Sequence, residues 1–199
     1  MPHDYEVGLF FHILGVFGIA GGATAFLLVI SVMRRAKTVQ EVRLLATLAS
    51  VIEKLFPVAA IVLLVSGGYI VSTDIGYKFD MGWVNYSATA LILGTIAGYA
   101  INGRRTDAIR KAAAAAPEGP IPQALAAQIH DPWIFGTTHA LTLMVMAIIW
   151  NMTTKPGDAE AAIVIVLAVL IGAGSAMPMV SRRQAILAGG GRVEPARSE

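Results

Sequence analysis

Apolar residues gather into five long runs, and polar residues occupy the stretches between them. The first run extends from about Val7 to Met33 and stops at Arg34, Arg35 and Lys37. The second, about Leu55 to Val71, carries Pro57 in its first turn, where a missing N–H breaks no helical hydrogen bond. A loop with Asp74, Lys78 and Asp80 leads to the third run, about Trp83 to Ile101, which Arg104, Arg105, Arg110 and Lys111 close. The fourth begins near Pro132 and Trp133 and ends around Trp150, before Lys155, Pro156 and Gly157. The fifth covers about Ala159 to Val180, with Arg182 and Arg183 after it. About 20 apolar residues cross a bilayer as a helix, and a helix satisfies its own backbone polar groups in hydrocarbon. The pattern therefore predicts an all-α fold: a polytopic transmembrane bundle of about five spans in one domain, residues 1–188.

The connections are also readable. Between the first two runs, Thr38 to Lys54 mixes Glu41 and Arg43 with Leu44, Leu45, Leu48, Val51 and Ile52 at helical spacing, which suits an interfacial or extended helix. The longest connection, about Asn102 to Asp131, holds an alanine run from Ala112 to Ala116 and then Pro117, Gly119, Pro120 and Pro122. It reads as a short helix, a break and a second short helix. The glycine-rich, charged segment from Gly189 to Glu199 is expected to be a disordered cytoplasmic tail. Lys and Arg concentrate after runs one, three and five, while the opposite connections carry Lys78 and Lys155. Positive residues remain on the cytoplasmic side, so the expected orientation is N-terminus out and C-terminus in, in a multi-pass protein of the cell (inner) membrane.

Composition narrows the functional classes. Of 199 residues, 56% are hydrophobic and 14% charged, well below the roughly 25% charged share of a soluble domain. The bilayer is thus the first partner. The net charge of +2 is spread beside the ends of apolar runs rather than along one stripe, which argues against nucleic acid. With no cysteine, thiolate metal sites, iron–sulfur clusters and covalent haem attachment are excluded. Asp4 and Glu6 precede the first run in place of a basic leader, so it reads as a retained helix rather than a cleaved signal peptide. No HExxH, phosphate-binding loop, dinucleotide fingerprint or nucleophile elbow occurs.

Two histidines fall inside apolar runs. His12 lies about six residues into the first, roughly 9 Å below the surface, and His139 about seven residues into the fourth, roughly 10 Å from the other side. Ionisable groups at such depth are costly and face the bundle interior, so both are candidate functional residues. Gly15 and Gly22 share the face of His12, with Gly18 nearby, and would admit a neighbouring helix or a flat ligand. The plainer role is a hydrogen bond from each imidazole to a carbonyl or hydroxyl of an adjacent helix. The sharper one is axial ligation of a b-type haem, for which imidazole is a usual ligand. The depths leave roughly 10 Å of axial offset across a 30 Å core, so a single iron held by both would need tilt or long reach. Met146, one heptad beyond His139, lies nearer the depth of His12 and is a weaker alternative ligand. Glu53 and Lys54 open the second run, where snorkelling to the interface is expected. Asp131 before Pro132 reads as a helix N-cap beside His130.

The stretch Leu9-Phe10-Phe11-His12-Ile13-Leu14-Gly15, followed by Gly21-Gly22, resembles the first helix of bacterial membrane proteins of the copper-resistance protein D superfamily. Lys54-Leu55-Phe56-Pro57 leading into Leu63-Leu64-Val65-Ser66-Gly67, with Lys155-Pro156 after the fourth run, is similar to an integral membrane family of unknown function in that neighbourhood. By that resemblance, haem-carrying relatives such as the membrane-bound protoporphyrinogen oxidases use a first-helix histidine, and His12 is the matching position. Phe17 stands where those proteins commonly have Trp, and the fifth run is one more than their usual four. Three functions remain open from the residues: a haem-b redox protein; a non-catalytic scaffold or accessory subunit, with membrane-protein partners or a second copy on its glycine-rich faces; and a permease for a small solute or metal ion.

Overall fold

The computed structural model describes residues 2–73 and 76–189, all of them helix, turn or connection. Two expectations lie outside these residues: the loop position Asp74 and the disorder of the tail beyond Gly189. Among the described residues there is no strand, only a single β-bridge between Thr38 and Pro120. The elements are α1 (Pro2–Met33), α2 (Val39–Glu53), α3 (Leu55–Ser72), α4 (Gly82–Ala97), a π-helical segment (Gly98–Gly103), α5 (Arg104–Ala115), α6 (Gln123–Ile129), α7 (Pro132–Thr154), α8 (Asp158–Gly174) and α9 (Met177–Gly189). Five stretches are long and apolar enough to cross a membrane, as the five runs predict. All-α, five-span architecture is therefore what the chain adopts.

The glycines decide how the spans pack. A Cβ on Gly15 would stand 2.7 Å from the Leu63 side chain, one on Gly18 2.9 Å from Ala59, and one on Gly22 3.3 Å from Phe56. Since real Cβ atoms do not approach so closely, this stripe of α1 is what lets α3 lie against it. Gly94 and Gly98 do the same for α4, admitting Met144 and Leu141 of α7, and Gly172 of α8 sits on the backbone of Ala140. These glycine faces are filled within the chain. Open faces remain at Gly21, Gly68 and Gly174, where a Cβ would meet nothing within 4 Å.

One end of the bundle, which carries the arginines, is built up by α2, α5 and α6. Val39, Val42, Ala46 and Ala49 of α2 pack with Ile109 and Ala113 of α5, Leu125 and Ile129 of α6 and the last turns of α1. Thr38 caps α2, accepting from the Glu41 amide at 3.3 Å, while the Glu41 carboxylate accepts from the Lys37 amide at 2.8 Å. Arg43 reaches across to donate to the Ala113 and Ala116 carbonyls at 2.8 and 2.6 Å, closing the C-terminus of α5. Leu44, Leu48 and Val51 remain exposed on the other side of α2, consistent with an interfacial helix that is docked on one face.

Two boundaries differ from the sequence reading. The third span does not end at Ile101: it continues through the π-helical segment into α5, because no proline or capping residue interrupts it. The fifth is interrupted at Ser175 and Ala176, and α9 restarts with Pro178 in its first turn, where proline has no N–H to lose. A helix long enough by hydropathy is thus two helices.

Candidate functional site

Two cavities lie among α1, α3, α4 and α7. The larger, about 530 Å3, is at the end remote from the arginines and contains His12. The Ser66 hydroxyl donates to the Val62 carbonyl at 2.5 Å, which commits its only proton. Toward His12 Nδ1, 3.3 Å away, Ser66 can only accept, and the Leu63 carbonyl also lies against the ring. Ser66 on α3 therefore calls for a proton on Nδ1. The remaining nitrogen, Nε2, keeps its lone pair. Gly67 makes room for the ring: a Cβ there would stand 3.1 Å from His12 Cε1. Sequence reading anticipates a hydroxyl partner for this histidine, and Ser66 supplies it.

The mouth of this cavity is aromatic and cationic. Lys155, left-handed with φ 49° at the end of α7, holds its ammonium 4.7 Å over the Tyr77 ring and donates to the Tyr77 hydroxyl. Tyr77 in turn meets Trp83 edge-on at 5.4 Å. Asp158 accepts from the Gly82 amide at 3.0 Å, tying the start of α8 to the start of α4. Asn151, fully buried, donates to the Ala161 carbonyl at 3.2 Å and approaches the Ser87 hydroxyl at 3.5 Å.

The second cavity, about 460 Å3, lies toward the arginine-bearing end. It is lined mainly by apolar groups, with Glu53, Asn102 and Thr138 as its polar side chains near that end. Asn102 is 5% exposed, and its amide donates to Thr138 Oγ1 at 3.2 Å. Its Oδ1 and the Glu53 Oε1 are buried with no hydrogen-bond partner among the described residues. The Thr106 hydroxyl faces Glu53 without completing a well-formed hydrogen bond. Glu53 is therefore turned into the bundle rather than outward, while Lys54, next to it, is exposed. Ile19, Leu91 and Val145, all buried, line both cavities and stand between them.

The other sequence candidates fall elsewhere. His139 lines neither cavity: its Nδ1 lies 2.9 Å from the Phe135 carbonyl of its own helix, and its ring lies 4.0 Å from the Phe135 ring, tilted by 45°. The Arg34 guanidinium lies over the Phe135 ring at 4.3 Å. Burial, and then the charges of Arg182 and Arg35, hold Arg34 below the ordinary arginine range. Met146 is 43% exposed on the outer surface of α7 and also lines neither cavity. His130 bonds the Ala126 carbonyl at 2.9 Å, and Asp131 is the expected N-cap, accepting from the Trp133 amide at 2.9 Å and from Arg105 at 3.1 Å. Among the described residues, no three His, Asp or Glu side chains gather as a metal-binding group. The structure thus separates His12 from both partners considered for it. Sequence reading passed over Asn102 and Thr138, whose only signal was an amide and a hydroxyl near the ends of apolar runs.

Five apolar helical stretches, buried amides and cavities at membrane depth define a polytopic helical membrane protein. More particularly, the chain belongs to the family described as predicted integral membrane protein (DUF2269), whose pattern matches residues 7–156 and so takes in α1 to α7. The fifth span, from Asp158, lies beyond that match. No curated protein and no solved structure matches the chain.

Proposed function

We propose that this membrane protein binds a lipophilic ligand in the His12 cavity, with the imidazole Nε2 as its polar anchor. The observation that carries this reading is the pairing of Nδ1 with Ser66, whose own proton is committed to Val62, which leaves one acceptor lone pair in a cavity of about 530 Å3. That volume lies within the usual range of ligand pockets. An apolar body is accommodated by Leu9, Val16 and Leu64, while Lys155, Tyr77 and Asn85 at the mouth suit a polar or anionic head.

A second reading is haem b. Its support is that a metal-binding imidazole characteristically donates its other N–H to a fixed acceptor, as His12 does. The likeness of the first helix to the copper-resistance protein D superfamily points the same way. His12 would hold the iron, and Lys155 would meet the carboxylates; His139 and Met146 stand apart, so the iron would have one protein ligand. Haem supplies one-electron chemistry when bound. We also propose that the arginine-bearing end lies in the cytoplasm of a bacterial inner membrane, on the excess of Lys and Arg there.

The test is purification in mild detergent, an absorption spectrum before and after dithionite, and mass spectrometry of an organic extract, alongside His12→Ala and Ser66→Ala. A stoichiometric lipophile lost in His12→Ala and about tenfold depleted in Ser66→Ala is the expected result, Ser66 acting by fixing the tautomer. A b-type spectrum lost in His12→Ala would select haem as that ligand. A folded protein with neither would overturn both readings and leave the scaffold role.

A further inference from the structure

We infer that the cavity at the arginine-bearing end is a second binding site, for a hydroxyl-bearing lipophile whose O–H donates to Asn102 Oδ1. It is independent of the His12 reading: the two cavities are distinct and meet only at Ile19, Leu91 and Val145.

The inference rests on which hydrogen-bonding valences the bundle leaves open. Thr138 donates to the Ile134 carbonyl at 2.6 Å, Thr142 to the Thr138 carbonyl at 2.8 Å, and Thr95 to the Leu91 carbonyl at 2.7 Å. All three threonine protons facing the cavity are spent on their own helices, and Tyr99, the fourth hydroxyl of its lining, is 82% exposed at the rim. Asn102 uses its amide on Thr138, which fixes the orientation of the group and leaves Oδ1 unanswered. Glu53 adds a second buried oxygen without a partner. The cavity therefore presents acceptors, and its occupant must supply a donor. Buried acceptors are rarely left unpaired, so two at one site mark a missing partner.

Asn102 comes from the π-helical segment Gly98–Gly103, and such segments concentrate at functional sites because the widened turn redirects a side chain. The remaining walls are apolar, supplied by Phe26, Phe56, Leu141 and Met144, and the volume is about 460 Å3. This is far more than a water or two would fill, and it suits an alkyl, isoprenoid or aromatic body. A hydroxyl answers the head of the site better than an ammonium would. It supplies the donor that Asn102 Oδ1 lacks without carrying a charge in among apolar walls, as an ammonium would.

Photolabelling of the purified full-length chain tests this. The probes are a long-chain primary alcohol with a mid-chain diazirine, its methyl ether and the matching primary amine. The alcohol is expected to label peptides of α4 and α7 around this cavity about tenfold more than the ether, the ratio one buried hydrogen bond supports. Asn102→Leu abolishes that preference. Glu53→Gln, which keeps an acceptor oxygen, retains it, and so does His12→Ala, which touches only the other cavity. Equal labelling by alcohol and ether would overturn the site. So would a preference that survives Asn102→Leu, or stronger labelling by the amine. The alcohol–ether comparison is made on the unaltered chain, so the outcome does not depend on Asn102→Leu folding.

Discussion

The smallest residues set the tightest distances in this molecule. Gly172 lies so close to the Ala140 backbone that any side chain there must displace a helix axis rather than a rotamer. Gly172→Leu is expected to cost about 2–3 kcal/mol, the range of an overpacked core, measured by unfolding in mixed micelles. Gly21→Ala is its control: a Cβ there meets nothing within 4 Å, and stability should hold or rise by up to about 1 kcal/mol through helix propensity. The residue scale is also where the sequence was most and least informative. His12 stood out because an ionisable group about six residues into an apolar run is costly and must face the bundle interior, and the glycines on its face announced a close neighbour. Asn102 did not stand out. It follows Ile101 at the edge of the run, where an amide is unremarkable, and only the position of Thr138 on another helix makes it a buried, oriented group. Periodicity gives depth and face; it cannot give the partner across the gap.

At the scale of elements, hydropathy located all five spans but misjudged two ends, for the same reason. A hydropathy run ends where polar residues begin, whereas a helix ends where its backbone loses partners. Arg104 and Arg105 are polar yet good helix formers, so the third span runs on to Ala115, while the break after Gly174 falls within an apolar stretch. The end of α5 in turn depends on α2. Arg43 supplies donors to the Ala113 and Ala116 carbonyls that the helix itself leaves unpaired. Arg43→Ala is expected to speed backbone hydrogen exchange through Ala112–Ala116 by about tenfold, as the loss of a charge-assisted bond implies, with α7 unchanged as the internal reference. Arg43→Lys should recover only part of the protection, since an ammonium lacks the planar fork.

For the whole molecule, the unequal distribution of Lys and Arg between its ends carries the proposed orientation. The proposed N-out topology can be checked cleanly because the chain contains no cysteine. In intact cells, Lys78→Cys is expected to react with a membrane-impermeant maleimide, and Lys111→Cys to react only after permeabilisation. The reverse pattern would invert the protein and exchange the compartments that its two cavities face. The match to the family also stops before α8, which begins the least buried of the five spans and leaves Val166, Leu170 and Ile171 exposed. The first four spans thus hold both cavities without it.

Ile19, Leu91 and Val145 form the shared floor of those cavities, and none of the three can pass a proton or hold an ion. Between the two cavities described, a charge meets hydrocarbon rather than a chain of polar groups, so each cavity is a blind end opening toward its own side of the bundle.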